Sequence, residues 1–357
     1  SSGKGSIGVD GDLKHANIAL FVPHAGCPNE CSFCNQKTIS GFTKELTVDD
    51  VKKACDIARK SPDLDCENSE IAFFGGSFTA IDREYMLTLL KSAKEYIDSG
   101  FFKGIRISTR PDAIDDEVLD ILKEYGVTSI ELGAQSMDDN VLKINRRGHT
   151  AEDIIKASNL IKKRGFSLGL QMMTGLMGDS DEKCLITAEK IIKLKPQTVR
   201  IYPTIVLENT FLAECLKNGT YKSQTLNEAV NICSKLLLMF QENDIKVIRL
   251  GLHSGGNVED GYIAGAYHPA FRDLCEGEIY MSKMLLALSQ CDKKKQYLIE
   301  VPKKSLSKAK GQGKRNEKAL INFGFQCKIK GNDFMSDYQI AIKENKDDFK
   351  SIGDAGI

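Results

Sequence analysis

Cys27-Pro28-Asn29-Glu30-Cys31-Ser32-Phe33-Cys34 follows closely on the apolar run Ile18-Ala19-Leu20-Phe21-Val22. Cysteines at offsets of four and three can converge on one inorganic centre, because a tight loop turns all three sulfurs to one side. Iron–sulfur clusters are held by cysteine thiolates, and a four-iron cluster takes four ligands. The next cysteine is Cys55, so a cluster bound here would keep one iron open. Zinc is the competing reading. It closes four-coordinate, and His24 could supply the fourth ligand. Three unrelated buried thiols are the blandest alternative.

Outward from this loop, short apolar runs alternate with longer amphipathic stretches. The runs are 18–22, 71–74, 105–108, 129–133, 167–173, 198–202 and 246–250; helix-like segments at 48–60, 82–98, 115–125, 151–164, 181–194 and 226–243 separate them. Thr47 and Thr150 offer side-chain oxygens at two helix starts, with acidic residues in the first turn. Strand–helix alternation repeated about six times implies a parallel sheet covered by helices. The expected fold class is α/β, a partial (β/α)6 TIM-like barrel, whose chemistry belongs at the C-terminal strand ends. Polar residues stand there: Cys27, Gly75–Ser77, Thr109–Asp112, Gln135, Gln171 and Tyr202. Glycines after a strand, as in Gly75-Gly76-Ser77-Phe78, let a ligand approach the backbone.

The expected division places a floppy arm or tag remnant at residues 1–16, the barrel at 17–250 and a small α+β extension at 251–357. Within that extension, strand-like runs at 296–301 and 323–329 flank a basic stretch expected to be a mobile solvated loop. It comprises Lys303, Lys304, Lys308, Lys310, Lys314, Arg315 and Lys318.

Composition narrows the function classes. The 357 residues are 41% hydrophobic and 27% charged, as in ordinary soluble proteins. No apolar run approaches the roughly 20 residues that span a bilayer, so no membrane partner is expected. Eleven cysteines without regular pairing point to the reducing cytoplasm rather than to a secreted disulfide framework. Net charge is zero, leaving no overall cationic excess for phosphate neutralisation.

Five ordered motifs carry a family resemblance. They are Cys27–Cys34, Gly75-Gly76-Ser77-Phe78-Thr79, Ser108-Thr109-Arg110-Pro111-Asp112, Glu131-Leu132-Gly133-Ala134-Gln135-Ser136-Met137 and Arg147-Gly148-His149-Thr150. Together with 169–176 and 200–204, they resemble the radical S-adenosylmethionine (SAM) core of the Elongator protein 3-like family, over roughly residues 17 to 275. The resemblance implies a radical SAM barrel with a [4Fe-4S] cluster ligated by Cys27, Cys31 and Cys34. SAM would occupy the open iron and yield a 5′-deoxyadenosyl radical. Phe33 would lie against the adenine, and Gly75, Gly76 and Ser77 would hold the methionine ammonium. Gln135 would meet the ribose, and Arg147 would grip the carboxylate with its planar fork. Gln171 occupies the place of an acidic ribose contact in relatives. Arg110 is a further cofactor contact or a buried structural ion pair.

On the substrate side, His24, Tyr202 and His253 are the catalytic candidates, with Arg249, Tyr267 and His268 nearby. Full-length relatives carry an acetyltransferase domain and modify tRNA wobble uridine; no acetyl-CoA loop is recognisable here. The resemblance extends to short members that act as queuine lyases. It implies C–N bond cleavage of queuine, a modified deazaguanine base, to 7-aminomethyl-7-deazaguanine for queuosine salvage. An external donor such as flavodoxin or ferredoxin would supply electrons. The alternatives are radical modification of a tRNA base and a non-enzymatic metal-binding module.

Overall fold

A computed structural model describes residues 17–22, 31–34, 45–62, 64–75, 77–252 and 261–345. Strand β1 (Ile18–Phe21) leads to helix α1 (Val48–Arg59), then β2 (Glu70–Phe74), α2 (Arg83–Asp98), β3 (Gly104–Thr109), α3 (Asp116–Glu124) and β4 (Val127–Gln135). A short α4 (Asp139–Ile144) precedes α5 (Ala151–Lys163), β5 (Ser167–Thr174), α6 (Asp181–Leu194) and β6 (Thr198–Pro203). Next come β7 (Ile205–Leu207), α7 (Phe211–Lys217), α8 (Leu226–Glu242) and β8 (Lys246–Leu250). Sheet order is β1-β2-β3-β4-β5-β6-β8, and every pairing is parallel. Six strand-to-strand crossovers thus link seven strands. The sheet is open, with β1 and β8 as its edges, and the expected partial barrel is present.

Alternation along the strands explains the architecture. Ile71, Phe73, Ile105, Ile107, Ile130, Leu132, Leu168, Leu170, Val199 and Ile201 are all fully buried. Side chains of a strand point alternately to opposite faces, so these residues form the wall on which the helices pack. Several of their neighbours in sequence are polar and meet across the other, concave face. There Arg106 bonds Glu70 at 3.1 Å, and Arg200 bonds Glu131 at 2.6 Å. A doubly covered parallel sheet would carry apolar residues on both faces; a polar inner face is what a reaction chamber needs. The caps form as the sequence indicates. Thr47 with Asp50, and Thr150 with Asp153, make reciprocal capping boxes at the starts of α1 and α5.

Beyond the sheet, β9 (Tyr262–Gly265) pairs antiparallel with β7 as a two-stranded ribbon, followed by the long helix α9 (Phe271–Leu288). Strand β10 (Gln296–Pro302), helices α10 (Leu306–Lys310) and α11 (Arg315–Asn322), and strands β11 (Gln326–Asn332) and β12 (Ala341–Glu344) complete the chain. The last three strands form a sheet in the order β11-β10-β12. One apolar core runs from Ile18 through Tyr280 and Met284 of α9 to Ile299 and Tyr338.

Two expectations need correction. The basic stretch is not a loop: α10 and α11 occupy it, pinned by buried Ala309, Asn316 and Leu320. The Asn316 amide donates to the carbonyls of Gly277 and Ala309, at 2.9 and 3.0 Å. The strand expected from 323 begins at Gln326, because Gly324, in the left-handed region at φ 88°, ends α11. The 18-residue helix α9 lies within the expected α+β extension. Residues 1–16 lie outside the described part.

Candidate active site

Turn geometry brings two of the three cysteines together. The Cys34 amide donates to the Cys31 carbonyl at 3.1 Å, closing a turn at the mouth of the sheet. Cys31 is buried and Cys34 half-buried. Cys27, His24, Gly76 and His253 lie outside the described residues. Among the described residues no group of three His, Cys, Asp or Glu side chains is placed to hold a metal.

Arg147 reaches this turn from the far side of β4. One guanidinium N–H donates to Cys31 Sγ at 3.2 Å and another to the Gly133 carbonyl at 2.8 Å. Its Cζ stands 5.9 Å from the centre of the Phe33 ring. Gly133 leaves the room: a Cβ there would stand 3.3 Å from the Arg147 guanidinium. Two soft sulfur donors on one turn, one bonded to a guanidinium, suit iron–sulfur ligation. The residues present fit the cluster.

The expected SAM-side residues gather on neighbouring strand ends. Gly75 has φ 139°, and a Cβ there would collide with the Val22 carbonyl oxygen at 2.1 Å; only glycine lets β1 and β2 close together above the sheet. Ser77 is buried beside it. Gln135 adopts φ 67° where β4 slips register against β5. A bulge of this kind re-aims a side chain, and a non-glycine left-handed residue signals a local demand stronger than backbone preference. Here it brings Gln135 Oε1 to the Gln171 amide, which donates at 3.4 Å. Phe33 and Tyr202 pack against one patch formed by Val141, Met173 and Leu176. The turn, the β5 end and the β6 end therefore share a wall.

Arg110 takes part in a buried ion pair. Only 2% exposed, it donates to both Asp112 oxygens, at 2.9 and 3.0 Å, and to the Arg147 carbonyl at 2.9 Å. It buttresses Arg147. His268 likewise serves structure: its Nδ1 accepts from the Ala270 amide at 3.0 Å, just before α9.

Other contributors were silent in the sequence. Glu131 accepts from Ser108 at 3.4 Å and from Arg200 at 2.6 Å, and Arg200 donates onward to the Tyr202 hydroxyl at 3.5 Å. The Arg200 guanidinium also lies 5.4 Å above the Phe74 ring. Burial opposes its charge, but Glu131 and Tyr202 outweigh that and hold Arg200 above its ordinary range. Their i, i+2 alternation within known strands was the available signal. Ser32 and Asn145 are fully buried and bonded to each other across 113 residues of sequence, which no local pattern reveals.

His149 yields a pH prediction. Its Nε2–H donates to the Ala134 carbonyl at 3.2 Å, and its buried Nδ1 has no partner among the described residues. Burial, then the Arg147 charge, pushes its pKa down to about 4. An unfolded histidine takes up its proton near 6.5, the folded one only near 4, so stability is full above pH 6.5 and lost as pH falls towards 4. The loss should reach about 3 kcal/mol, at 1.36 kcal/mol per unit. Urea unfolding of the metal-free protein at pH 7 and pH 4.5 measures it, and His149→Gln should remove this part of the slope.

With this geometry in view, comparison with known proteins decides the family. The radical SAM superfamily profile matches residues 21–191, and the radical SAM C-terminal domain profile matches residues 196–281. The chain belongs to the radical SAM superfamily. A tRNA uridine(34) acetyltransferase of Methanocaldococcus jannaschii is 32% identical over 185 residues, covering 46% of this chain and 34% of that protein. An uncharacterized protein of the same organism is 29% identical over 235 residues, 65% of this chain and 69% of its own length. The chain thus spans about a third of the acetyltransferase it matches. Among solved structures, the archaeal Elp3 of Methanocaldococcus infernus superposes with TM-score 0.59 at 22% identity, covering 75% of this chain and 63% of that one, and shares the fold. A [4Fe-4S] cluster and SAM are the cofactors of the superfamily.

Proposed function

We propose that this radical SAM enzyme is a C–N lyase acting on queuine, a small modified deazaguanine base, to release 7-aminomethyl-7-deazaguanine. The cluster and SAM, when bound, supply one-electron chemistry that activates carbon–hydrogen bonds. Cys27, Cys31 and Cys34 would hold the cluster, while Arg147, Gln135, Gln171, Phe33 and the Gly75–Ser77 segment would hold SAM. Tyr202 would face the substrate with Arg200 and Glu131 behind it, and His24 and His253 are the remaining proton-transfer candidates.

The observation carrying the substrate class is charge pairing. On the concave wall Arg200 is matched by Glu131 and Arg106 by Glu70. In the C-terminal stretch four of the seven cations, Lys303, Lys304, Lys308 and Lys310, are matched by Asp333, Asp337, Glu276 and Glu317. Paired cations leave little charge for a polyanion, whereas donors and acceptors side by side suit a neutral heteroaromatic base carrying a diol. No described helix is long and apolar enough to cross a membrane, in keeping with a cytoplasmic enzyme reduced by a small donor such as flavodoxin or ferredoxin.

Anaerobically reconstituted protein given SAM, dithionite and queuine should produce the deazaguanine amine, read by mass spectrometry. SAM cleavage without that product would end the lyase assignment. A second reading, radical modification of a tRNA wobble base, is favoured by the tRNA uridine(34) acetyltransferase relatives. It requires salt-dependent tRNA binding, which a filter-binding titration at several ionic strengths measures. A flat, weak response favours the small base.

A further inference from the structure

Three consecutive residues after α4 each hold a different part of the site. Asn145 holds the cysteine turn: its carbonyl accepts from the Ser32 amide at 3.1 Å, and its Oδ1 accepts from the Ser32 hydroxyl at 2.6 Å. Its own amide nitrogen donates to the carbonyls of Val141 and Met177, at 2.8 and 2.9 Å. Arg146 turns the other way and lays its guanidinium 3.7 Å over the Phe211 ring of α7. Arg147 returns to Cys31 and Gly133. Helix α7 closes the circuit, its Leu212 amide donating to the Ser32 carbonyl at 2.8 Å. The amide, carbonyl and hydroxyl of Ser32 are therefore all engaged, and both Ser32 and Asn145 are fully buried.

The backbone pays no attention to preference here. Arg146 has φ 55°, a left-handed conformation that a long side chain rarely adopts. Such a residue persists only where its surroundings over-determine it. The left-handed step at Arg146 stands between Asn145 and Arg147, which address Ser32 and Cys31. Fold maintenance alone would be served as well by apolar packing. A fully satisfied buried polar pair instead fixes one arrangement against near alternatives.

We infer that Asn145 is a positioning residue which, through Ser32, clasps the cysteine turn and sets where Cys31 and Cys34 stand before iron arrives, with left-handed Arg146 as its pivot. The clasp does not depend on which molecule the barrel processes, so it can fail while the lyase assignment stands, and the reverse.

The test uses Ser32→Ala, Asn145→Ala and Arg146→Gly in the full chain. In metal-free protein, iodoacetamide labelling of Cys31, read by peptide mass spectrometry, should speed up about tenfold in the first two, the factor that corresponds to losing one net hydrogen bond. After anaerobic reconstitution their iron content should fall below half of wild type, and SAM should no longer shift the electron paramagnetic resonance spectrum of the reduced cluster. Glycine tolerates φ 55°, so Arg146→Gly should melt no lower than wild type yet label about threefold faster through loss of the Phe211 stack alone. Ser32→Ala removes one oxygen and should melt within about 4 °C of wild type, so it decides the matter if Asn145→Ala does not fold. Labelling within twofold of wild type in Ser32→Ala, with the SAM-induced spectral shift intact, would overturn the clasp and leave the pair a packing detail.

Discussion

Replacing Cys34 with alanine is expected to drop iron from about four per reconstituted chain to background while the protein stays folded. Cys34 is half-buried on a surface turn, so losing its sulfur removes little packing, and the unfolding free energy should change by less than about 1 kcal/mol. Cys31→Ala should behave alike for iron, at a somewhat greater stability cost, because Sγ is also an acceptor for Arg147. The control is Cys233→Ala. Burial pushes the Cys233 thiol up to about 12 and that of Cys55 likewise, and the thiols of Cys184 and Cys275 are raised still further. A thiol so reluctant to ionise packs as a small apolar group and makes a poor ligand. Cys233→Ala should therefore lower stability slightly and leave iron unchanged. Colour, iron analysis and urea unfolding on the three variants check the whole pattern; retained iron in Cys34→Ala would remove the cluster assignment.

Glu131→Ala carries the second large effect. Glu131 and Arg200 side chains are 5% and 14% exposed, so deleting the carboxylate leaves a guanidinium inside the sheet with Tyr202 and the Phe74 face as its remaining company. Breaking a buried pair from one side costs about 3–5 kcal/mol, since the stranded charge keeps its desolvation penalty. Removing both members, Glu131→Met with Arg200→Met, should recover most of that loss. Urea unfolding of the two single variants and the double variant measures the cycle. Activity separates the roles further. The double variant should fold and bind iron yet process substrate poorly, because the groups behind Tyr202 are gone.

The strands were legible as short runs rich in isoleucine, leucine, valine or phenylalanine, continuous in β1 and β2 and interleaved with polar residues in β3, β4 and β6. The cysteine loop, Gly75, Gln135 and Arg147 were legible as ordered motifs following those strands, and Phe33, Arg147 and Cys31 lie together in the structure. Arg110 was ambiguous until Asp112 was seen to occupy its fork. What stayed hidden was non-local. Ser32–Asn145 and Glu131–Arg200 pair across long stretches of chain, and a polar residue in sequence does not announce whether its partner is water or another buried group. The lysine stretch misled for a related reason: charge dominates its composition, while four buried side chains, Ser305, Ala309, Asn316 and Leu320, fix its helices.

Helix α9 packs on α8 of the barrel and on α10 and α11 beyond it, and its Tyr280 hydroxyl accepts from the Tyr338 amide at 3.1 Å, past β11. The apolar core continues across the boundary expected at Leu250. Loosening the terminal strands should therefore uncover part of the core that backs the barrel.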